Sequence, residues 1–240
     1  MKYAVVTGGT RGIGKQITCD LLRKGYFVFT NYANNEVAAN KSVNDFKQIS
    51  HHIKVKKADQ ANIEEFSAFI EMIKSQTEQL DCLVINTGTT LRKNIEDTSN
   101  AEWEKVMQVN VNSHFYMIRD LKPLMQKQGR IIFIGSLLGD VPHATSLIYG
   151  VTKSAIHSMA KNMVKFFADM KITVNIVAPG FVETDWQIDK PVEIRENILK
   201  KTALQRFASV QDVSNACMFL IDNDYINGAT IEVNGGYSYK

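Results

Sequence analysis

The sequence predicts an α/β protein with a doubly wound, mostly parallel sheet of seven strands and helices on both faces. Short apolar, β-rich runs alternate with segments of helical periodicity, which is the pattern of parallel strands joined by crossover helices. Most of the strands are apolar on both faces, as expected where helices cover both sides of a sheet. The 240 residues contain no linker, repeat or low-complexity segment, so we expect a single domain over 1–240.

The elements follow one another in a regular order. The predicted strands span 3–7, 26–30, 53–55, 82–86, 131–134, 173–177 and 229–233. One helix follows the glycines at 12 and 14 and stops at Gly25, and further helices are predicted over 36–49, 62–77, 149–170 and 210–221. The segment 100–127 is predicted to be one long helix or two running together. Ligands of such sheets bind beyond the carboxyl ends of the strands, where we expect the functional residues to meet.

Composition excludes several classes of protein. The formal net charge is +3 and the lysines and arginines are scattered, so neither a nucleic-acid partner nor a membrane partner is expected. The first residues enter a strand directly, without a signal-peptide pattern, which favours the cytoplasm. Three cysteines, Cys19, Cys82 and Cys217, lie in apolar contexts and are predicted to be buried free thiols. The adjacent His51 and His52 lack further ligands nearby, so no metal site is predicted.

A glycine-rich loop joins the first strand to the first helix, with the sequence Thr7-Gly8-Gly9-Thr10-Arg11-Gly12-Ile13-Gly14. Gly8 permits a tight turn, Gly12 lets the backbone approach a pyrophosphate, and Gly14 lets the helix pack close to the sheet. The helix N-terminus offers free N–H groups to phosphates. In this strand–turn–helix context the loop predicts a dinucleotide site.

The end of the second strand predicts which dinucleotide is bound. NAD sites commonly place a carboxylate there to hold the ribose 2′-hydroxyl, whereas this chain has Thr30-Asn31-Tyr32. Arg11 is expected to meet a 2′-phosphate and Asn31 to donate to it, which favours NADP(H). The competing interpretation is that Arg11 is a solvated side chain. Asp59, at the end of the third strand, is expected to accept from the adenine amino group.

Three residues in the middle of the chain together form a candidate proton-donating site. Tyr149 and Lys153 are four residues apart in a predicted helix, so they share one face. A phenol has an ordinary pKa of about 10, and a neighbouring ammonium is expected to lower it. Ser136 follows a predicted strand and offers a second hydroxyl to the same reacting oxygen.

These motifs, in this order and spacing, resemble the short-chain dehydrogenase/reductase family from end to end. The matching residues are Thr7, Gly8, Gly12, Gly14, Asp59, Asn86-Thr87-Gly88, Asn110, Ser136, Tyr149, Lys153, Asn175, Pro179-Gly180 and Thr184. Within the family, the segments 177–184 and 204–207 and the ending at 227–236 are most similar to bacterial 3-oxoacyl-[acyl-carrier-protein] reductases. The resemblance implies a Rossmann fold, a nicotinamide cofactor and a homotetramer.

The resemblance also implies roles for individual residues. Tyr149 would be the general acid, Ser136 would hydrogen-bond the substrate carbonyl, and Lys153 would hold the nicotinamide ribose and lower the pKa of Tyr149. Asn110 would anchor a water chain that returns the proton. The implied cofactor-binding residues are Gly8, Thr10, Arg11, Gly12, Ile13, Gly14, Asn31, Asp59, Asn86, Gly88, Tyr149, Lys153, Pro179, Gly180, Val182 and Thr184.

The identity of the substrate stays open in the sequence. Met170 stands where the carrier-protein reductases commonly have a basic residue, which leaves Lys127, Arg130 and Lys171 as expected contacts with an acidic carrier protein. The alternatives are a short-chain reductase acting on another ketone, alcohol, sugar or steroid, and a non-catalytic NADP-binding protein. The intact Ser136, Tyr149, Lys153 and Asn110 argue against the last.

The polar, partly helical segment 182–203 follows Pro179-Gly180 and is expected to be a substrate lid, with Trp186 as its candidate substrate contact. An ordinary pair of surface helices is the alternative. His143 and Thr145 lie between Ser136 and Tyr149 and are either substrate contacts or plain loop residues.

Overall fold

A computed structural model describes residues 1–142, 146–237 and 239 of the chain. Seven strands form one sheet, all of them parallel, in the order β3-β2-β1-β4-β5-β6-β7. The strands are β1 (Lys2–Val6), β2 (Tyr26–Tyr32), β3 (Ile53–Lys57), β4 (Leu80–Ile85), β5 (Met125–Ile134), β6 (Thr173–Pro179) and β7 (Thr230–Val233). The predicted seven-stranded, doubly wound sheet is therefore confirmed.

The helices that connect the strands begin at capping side chains in several places. They are α1 (Gly12–Arg23), α2 (Glu36–Ile49), α3 (Ile63–Gln76), α4 (Asn100–Met107), α5 (Ser113–Leu121), α6 (Leu147–Phe167), α7 (Val192–Lys201) and α8 (Val210–Asp222). Asn35 and Asn62 accept from backbone N–H groups at the starts of α2 and α3, and Ser99 and Ser209 form capping boxes for α4 and α8.

A buried apolar layer lies on each face of the sheet. One layer contains Phe29, Phe133 and Ile176 from the strands with side chains of α3, α5 and α6. The other contains Val6, Val84 and other strand residues with side chains of α1 and α8. Because both faces of the strands are covered, their sequences are almost continuously apolar.

The strand order reverses between β1 and β4, and this reversal places the site. From β1 the chain continues outward to β2 and β3, whereas β4 to β7 extend in the opposite direction. The loops that follow β1 and β4 therefore diverge to opposite faces and leave a crevice at the carboxyl ends of the strands.

The helical segment predicted over 100–127, as one long helix or two running together, forms two helices but ends earlier than predicted. A π-helical turn, Gln108–Asn112, separates α4 from α5, and the helical region ends with a short 3₁₀ turn, Lys122–Leu124, that contains Pro123. Proline lacks an N–H and suits the start of such a turn. From Met125 the chain is already strand, since Met125 pairs with Leu80 of β4.

The cysteines lie where the sequence predicts them. Cys19, Cys82 and Cys217 are buried and free, as predicted. In the part of the chain that the structure describes, no helix combines the length and the apolar character needed to cross a bilayer. The same described residues contain no cluster of three histidine, cysteine or acidic side chains suited to a metal ion.

Candidate active site

A cleft of about 560 Å³ opens at the carboxyl ends of the strands, around the crevice between β1 and β4. All sixteen residues predicted to bind the cofactor line it, from Gly8 in the first loop to Thr184 after β6. Ser136 and Trp186 line it as well. Residues predicted separately from seven parts of the sequence are thus brought to one cavity.

The glycine loop fits closely against its neighbours. Gly8 has a φ of +63°, which favours glycine. A Cβ on Gly14 would lie 2.4 Å from the carbonyl oxygen of Gly8 and 2.5 Å from Nδ2 of Asn86. A Cβ on Gly9 would lie 2.3 Å from Oγ1 of Thr30, a close approach that the sequence motif did not reveal. The loop therefore tolerates no side chain at either position without movement.

The N-terminus of α1 faces this cleft without a side-chain cap. Arg11 occupies the N-cap position in an extended conformation and its side chain makes no capping hydrogen bond. The first N–H groups of a helix have no partner inside the helix. Together with Gly12, Ile13 and Gly14, which line the cleft, they form a site for an anionic group.

Asn31 has a structural role that the sequence did not indicate. Its Oδ1 accepts from the N–H of Gly8 at 3.0 Å, and its Nδ2 donates to the carbonyl of Ala58 at 2.8 Å. The side chain is buried and ties the glycine loop to the end of β3. It positions the loop, and because Nδ2 carries a second hydrogen, the donation to a 2′-phosphate stays a prediction.

The wall at the end of β2 carries no carboxylate. Tyr32, Ala33, Asn34 and Asn35 line the cleft there, and the exposed Arg11 lines the same cleft. Asp59, beyond β3, also lines the cleft, and its Oδ1 accepts from the N–H of Ala61 at 2.9 Å. The predicted acceptor lines the cleft, and the end of β2 offers no carboxylate to hold a ribose 2′-hydroxyl.

Thr7 and Asn86 fasten the ends of β1 and β4 together. The Oγ1 of Thr7 accepts from the N–H groups of Asn86 and Thr87 at 2.9 and 3.0 Å. The Nδ2 of Asn86 donates to the carbonyl of Thr7 at 2.9 Å. These contacts fix the floor of the cleft beside Gly88.

Asn110 is fully buried in the π-helical turn between α4 and α5. Its Oδ1 accepts from the N–H of Thr89, and its Nδ2 donates to the carbonyl of Thr89, both at 2.8 Å. Nδ2 also lies 2.9 Å from Oγ1 of Thr152 on α6. The carboxamide thus holds the loop after β4 against the helix that carries Tyr149. The water-chain role stays a prediction.

Lys153 connects α6 to the end of β5. Its Nζ donates to the carbonyl of Ile134 at 2.7 Å and lies 5.5 Å from the ring centre of Tyr149. Ser136, two residues beyond Ile134, is buried, and its Oγ accepts from the N–H of Leu138 at 3.1 Å. Ser136, Tyr149 and Lys153 therefore lie together on one wall of the cleft.

The two titratable groups differ from the prediction. Burial raises the pKa of Tyr149 to about 12, and a hydrogen bond with Ser136 partly offsets this. Burial lowers the pKa of Lys153 to about 7. A lysine that readily loses its charge exerts little field on its neighbour. Lys153 therefore does not produce the expected lowering of the Tyr149 pKa. Tyr149 is firmly protonated at neutral pH, which is the state of a proton donor.

The segment after β6 closes the cleft on one side. The ring of Trp186 meets the ring of Tyr149 edge to face, with centres 6.0 Å apart. Asp185 and Gln187 also line the cleft, and α7 follows. His143 and Thr145, the other predicted substrate contacts, lie outside the described residues.

The expected basic contacts for a carrier protein lie elsewhere. Lys127 lies near the start of β5, Arg130 pairs with Thr173 at the start of β6, and Lys171 lies two residues before Thr173, so all three lie toward the amino-terminal edge of the sheet. At about 3.3 Å per strand residue, Arg130 is roughly 13 Å from Ile134 at the cleft. They are not near the cleft of their own chain.

Several residues of the site had no recognisable sequence signal. Gln60, Lys105 and Gln187 line the cleft from three separate loops and helices. His114, fully buried on α5, lies 3.1 Å through Nε2 from the carbonyl of Thr87. Only the periodicity of α5, which places His114 on its buried face, could have indicated it.

The chain is similar to known proteins along almost its whole length. A family model described as "Enoyl-(Acyl carrier protein) reductase" matches residues 8–238. The 3-oxoacyl-[acyl-carrier-protein] reductase FabG of Staphylococcus aureus is 35% identical over 239 residues, 98% of this chain and 97% of that protein. A short-chain dehydrogenase/reductase from Serratia marcescens superposes with a TM-score of 0.93 at 29% identity, covering 99% of this chain and 98% of that one.

A blue fluorescent protein from a metagenomic library, solved in complex with NADPH, superposes with a TM-score of 0.92 at 28% identity. It covers 99% of this chain and 98% of that one. With the sheet order, the glycine loop and the residues around Tyr149 in place, these similarities leave no ambiguity about the family. The chain belongs to the short-chain dehydrogenase/reductase family.

Proposed function

We propose that the protein reduces the 3-oxo group of an acyl thioester on acyl carrier protein to a hydroxyl, with NADPH as the reductant. The observation that carries this proposal is the meeting of Ser136, Tyr149 and Lys153 on one wall of the cleft whose opposite wall is the glycine loop. Two hydroxyls then face the position where a carbonyl would lie beside a bound dinucleotide.

The residues of the cleft fit NADPH. The uncapped N-terminus of α1 suits a pyrophosphate, and the close packing at Gly9 and Gly14 keeps side chains out of its path. The end of β2 has no carboxylate to repel a 2′-phosphate, and the exposed Arg11 is beside it. The solved relatives include a protein in complex with NADPH.

The chain's own residues bind and protonate the substrate oxygen. Bound in the cleft, NADPH supplies a hydride to the carbonyl carbon. Ser136 donates a hydrogen bond to the carbonyl oxygen and stabilises the negative charge that develops there. Tyr149, protonated because burial raises its pKa to about 12, gives its proton to that oxygen. Lys153 would hold the cofactor's ribose, and it donates to the Ile134 carbonyl at the end of β5. Asn110 holds the loop after β4 against α6.

The thioester assignment depends on relatives. The curated relatives at 32–35% identity are 3-oxoacyl-[acyl-carrier-protein] reductases, whereas the family model is described as an enoyl reductase. Carbonyl reduction requires an acid beside the oxygen, which Tyr149 and Ser136 supply, and this favours the 3-oxo substrate.

Three finer statements belong to this proposal. The segment 182–203 acts as a lid, because Trp186 already contacts Tyr149 and α7 is polar and mostly exposed. The chain assembles as a homotetramer, for which the exposed Phe115 and Val151 on α5 and α6, with Phe166, offer apolar contact surface. The three buried free cysteines suit the cytoplasm.

The test is a panel of thioesters with NADPH and NADH. We expect oxidation of NADPH with acetoacetyl-acyl carrier protein and with acetoacetyl-coenzyme A, weak use of NADH, and no turnover of the matching crotonyl thioesters. Turnover of crotonyl thioesters alone would instead indicate an enoyl reductase. Activity only with free ketones, alcohols, sugars or steroids would replace the carrier-protein assignment. Light scattering of the purified protein tests the tetramer.

A further inference from the structure

A buried histidine lies directly beneath the loop that presents Ser136. His157 follows Lys153 by one helical turn on α6, so Tyr149, Lys153 and His157 lie at i, i+4 and i+8 on one face of the helix. Its side chain is almost fully buried. Nothing in the reaction described above uses it.

The imidazole ring is enclosed by two glycines of the loop. A Cβ on Gly135 would lie 2.2 Å from Nε2 of His157, and a Cβ on Gly139 would lie 2.7 Å from its Cε1. The loop backbone therefore rests on the ring at both ends, and the residue between them that lines the cleft is Ser136. Any shift of the ring is transmitted to the position of Ser136.

Each ring nitrogen of His157 lies close to a polar group of this loop. The N–H of Ser136 donates to Nε2 at 3.4 Å, so Nε2 carries no hydrogen and Nδ1 does. Nδ1 lies 3.1 Å from Oδ2 of Asp140, a close contact that lacks the alignment of a full hydrogen bond. The carboxylate favours the hydrogen on Nδ1, and thereby leaves Nε2 free to accept.

We propose that His157 is a positioning residue that holds Ser136 against the substrate, by accepting from the Ser136 N–H with a neutral imidazole whose tautomer Asp140 fixes. The proposal rests on the proposed carbonyl reduction, since the position of Ser136 matters only if its hydroxyl meets the reacting oxygen. His157 would then be the third functional residue, after Tyr149 and Lys153, on this face of α6.

The arrangement makes Ser136 sensitive to acid. An imidazolium donates from both nitrogens, so protonation replaces the acceptor at Nε2 with a hydrogen that opposes the Ser136 N–H. The titratable groups that act on His157 are Asp140 from the loop and Lys153 and Lys161 from α6. β6, whose Ile176 also packs at Gly135, has no titratable side chain. Burial outweighs Asp140 and lowers the pKa of His157 below its ordinary 6.5, so the neutral form prevails at neutral pH.

Two variants of His157 and one control separate positioning from packing. In His157→Gln the carboxamide oxygen can still accept from Ser136 but cannot titrate, whereas His157→Leu fills the space without an acceptor. Ser154→Ala is the control, because the Ser154 hydroxyl donates to the Gly139 carbonyl and anchors the same loop without a titratable group. For each protein kcat, KM and the Kd for NADPH are measured with acetoacetyl-coenzyme A, at neutral pH and below pH 6.5.

We expect His157→Leu to lower kcat at neutral pH by about tenfold while KM and the Kd for NADPH change by less than about twofold, since a displaced catalytic hydroxyl acts on the chemical step. His157→Gln should keep most of kcat at neutral pH and lose less activity than the wild type below pH 6.5. Ser154→Ala should keep the wild-type pH profile. An unchanged kcat in His157→Leu, or the wild-type acid loss in His157→Gln, overturns the proposal.

A second measurement is independent of turnover. Backbone hydrogen exchange of residues 135–140 should be faster in His157→Leu than in the wild type and close to the wild type in His157→Gln. If the wild-type protein reduces no 3-oxoacyl thioester, the proposed function fails, and this exchange then decides whether His157 holds the loop. Equal exchange in all three proteins would show that it does not.

Discussion

The Nζ of Lys153 donates a hydrogen bond of 2.7 Å to the main-chain carbonyl of Ile134, and this contact fastens α6 to the last residue of β5. Tyr149 lies four residues before Lys153 on α6, and Ser136 lies two residues after Ile134. The bond to Ile134 is made by a lysine whose pKa burial lowers to about 7. The residue that organises the site is therefore held at a cost to the fold.

Replacing Lys153 with methionine should stabilise the protein and abolish turnover. Between pH 10.5 and about 7 the unfolded lysine is protonated while the folded one is not, so the wild-type free energy of unfolding falls as the pH falls through that range. A shift of this size corresponds to several kcal/mol, more than the roughly 1–3 kcal/mol lost when the Ile134 carbonyl loses its donor.

Thermal unfolding at several pH values checks this prediction. Lys153→Met should unfold at a higher temperature than the wild type near neutral pH, and the difference should shrink as the pH rises. A constant difference, or a less stable variant at neutral pH, would show that the buried amine is not costly. Lys74→Met, at an exposed lysine paired with Glu71, is the matched control.

Replacing Tyr149 with phenylalanine should lower kcat by about 10²–10⁴-fold, the usual contribution of a general acid. Only the hydroxyl is removed, so NADPH binding and the edge-to-face contact with Trp186 should persist. Fluorescence titration with NADPH and a kcat measurement on the same sample check both halves. Turnover within about tenfold of the wild type would remove Tyr149 from the mechanism.

Replacing Arg11 with alanine should weaken NADPH binding by about 10–100-fold and leave NADH binding nearly unchanged. A charge-assisted hydrogen bond is worth about 1.5–3 kcal/mol, and only NADPH carries the 2′-phosphate that would receive it. Arg23→Ala is the control, because Arg23 lies at the other end of α1 and pairs with Asp20. An equal loss for both nucleotides would assign Arg11 to another part of the cofactor.

Local patterns were sufficient for the sheet but not for contacts between distant segments. The strands and helices repeat with regular periods, so their order followed from neighbouring residues alone. The start of β5 was missed because residues 126–128, Gln-Lys-Gln, have no strand pattern and lie in an irregular stretch between Met125 and Arg130, the residues that pair with β4. The structural contacts of Asn31 were not predicted because its partners, Gly8 and Ala58, are far away in the chain.

The reactive residues could be predicted because their motif is local. Their protonation states could not be predicted from the sequence. Tyr149 and Lys153 are four residues apart, and their shared face is a property of any helix. Their pKa values depend on burial under the loops after β4 and β5, which periodicity does not report. His157 escaped notice for the same reason, because its partners Gly135 and Ser136 belong to another strand end.

Replacing Gly14 with alanine should destabilise the protein, although alanine is the better helix former. Helix propensity favours alanine by up to about 1 kcal/mol, but a Cβ would lie 2.4 Å from the Gly8 carbonyl, and overpacking costs about 1–3 kcal/mol. The Tm should fall by several degrees, at about 2–4 °C per kcal/mol. Gln16→Ala, two residues along α1, should change the Tm far less; a stabilised Gly14→Ala protein would contradict the close packing.

Replacing Trp186 with alanine should raise KM for the thioester by about tenfold and leave the Kd for NADPH unchanged. The Trp186 ring lies against Tyr149 and forms part of the substrate side of the cleft, so its removal takes away apolar contact worth about 1–3 kcal/mol. Trp103→Ala is the matched control, since Trp103 is the other tryptophan and lies on α4 outside this cleft. If 182–203 closes over substrate, the Trp186 fluorescence of a Trp103→Phe protein should change when substrate binds after NADPH. Unchanged fluorescence together with an unchanged KM would make the segment an ordinary surface helix pair.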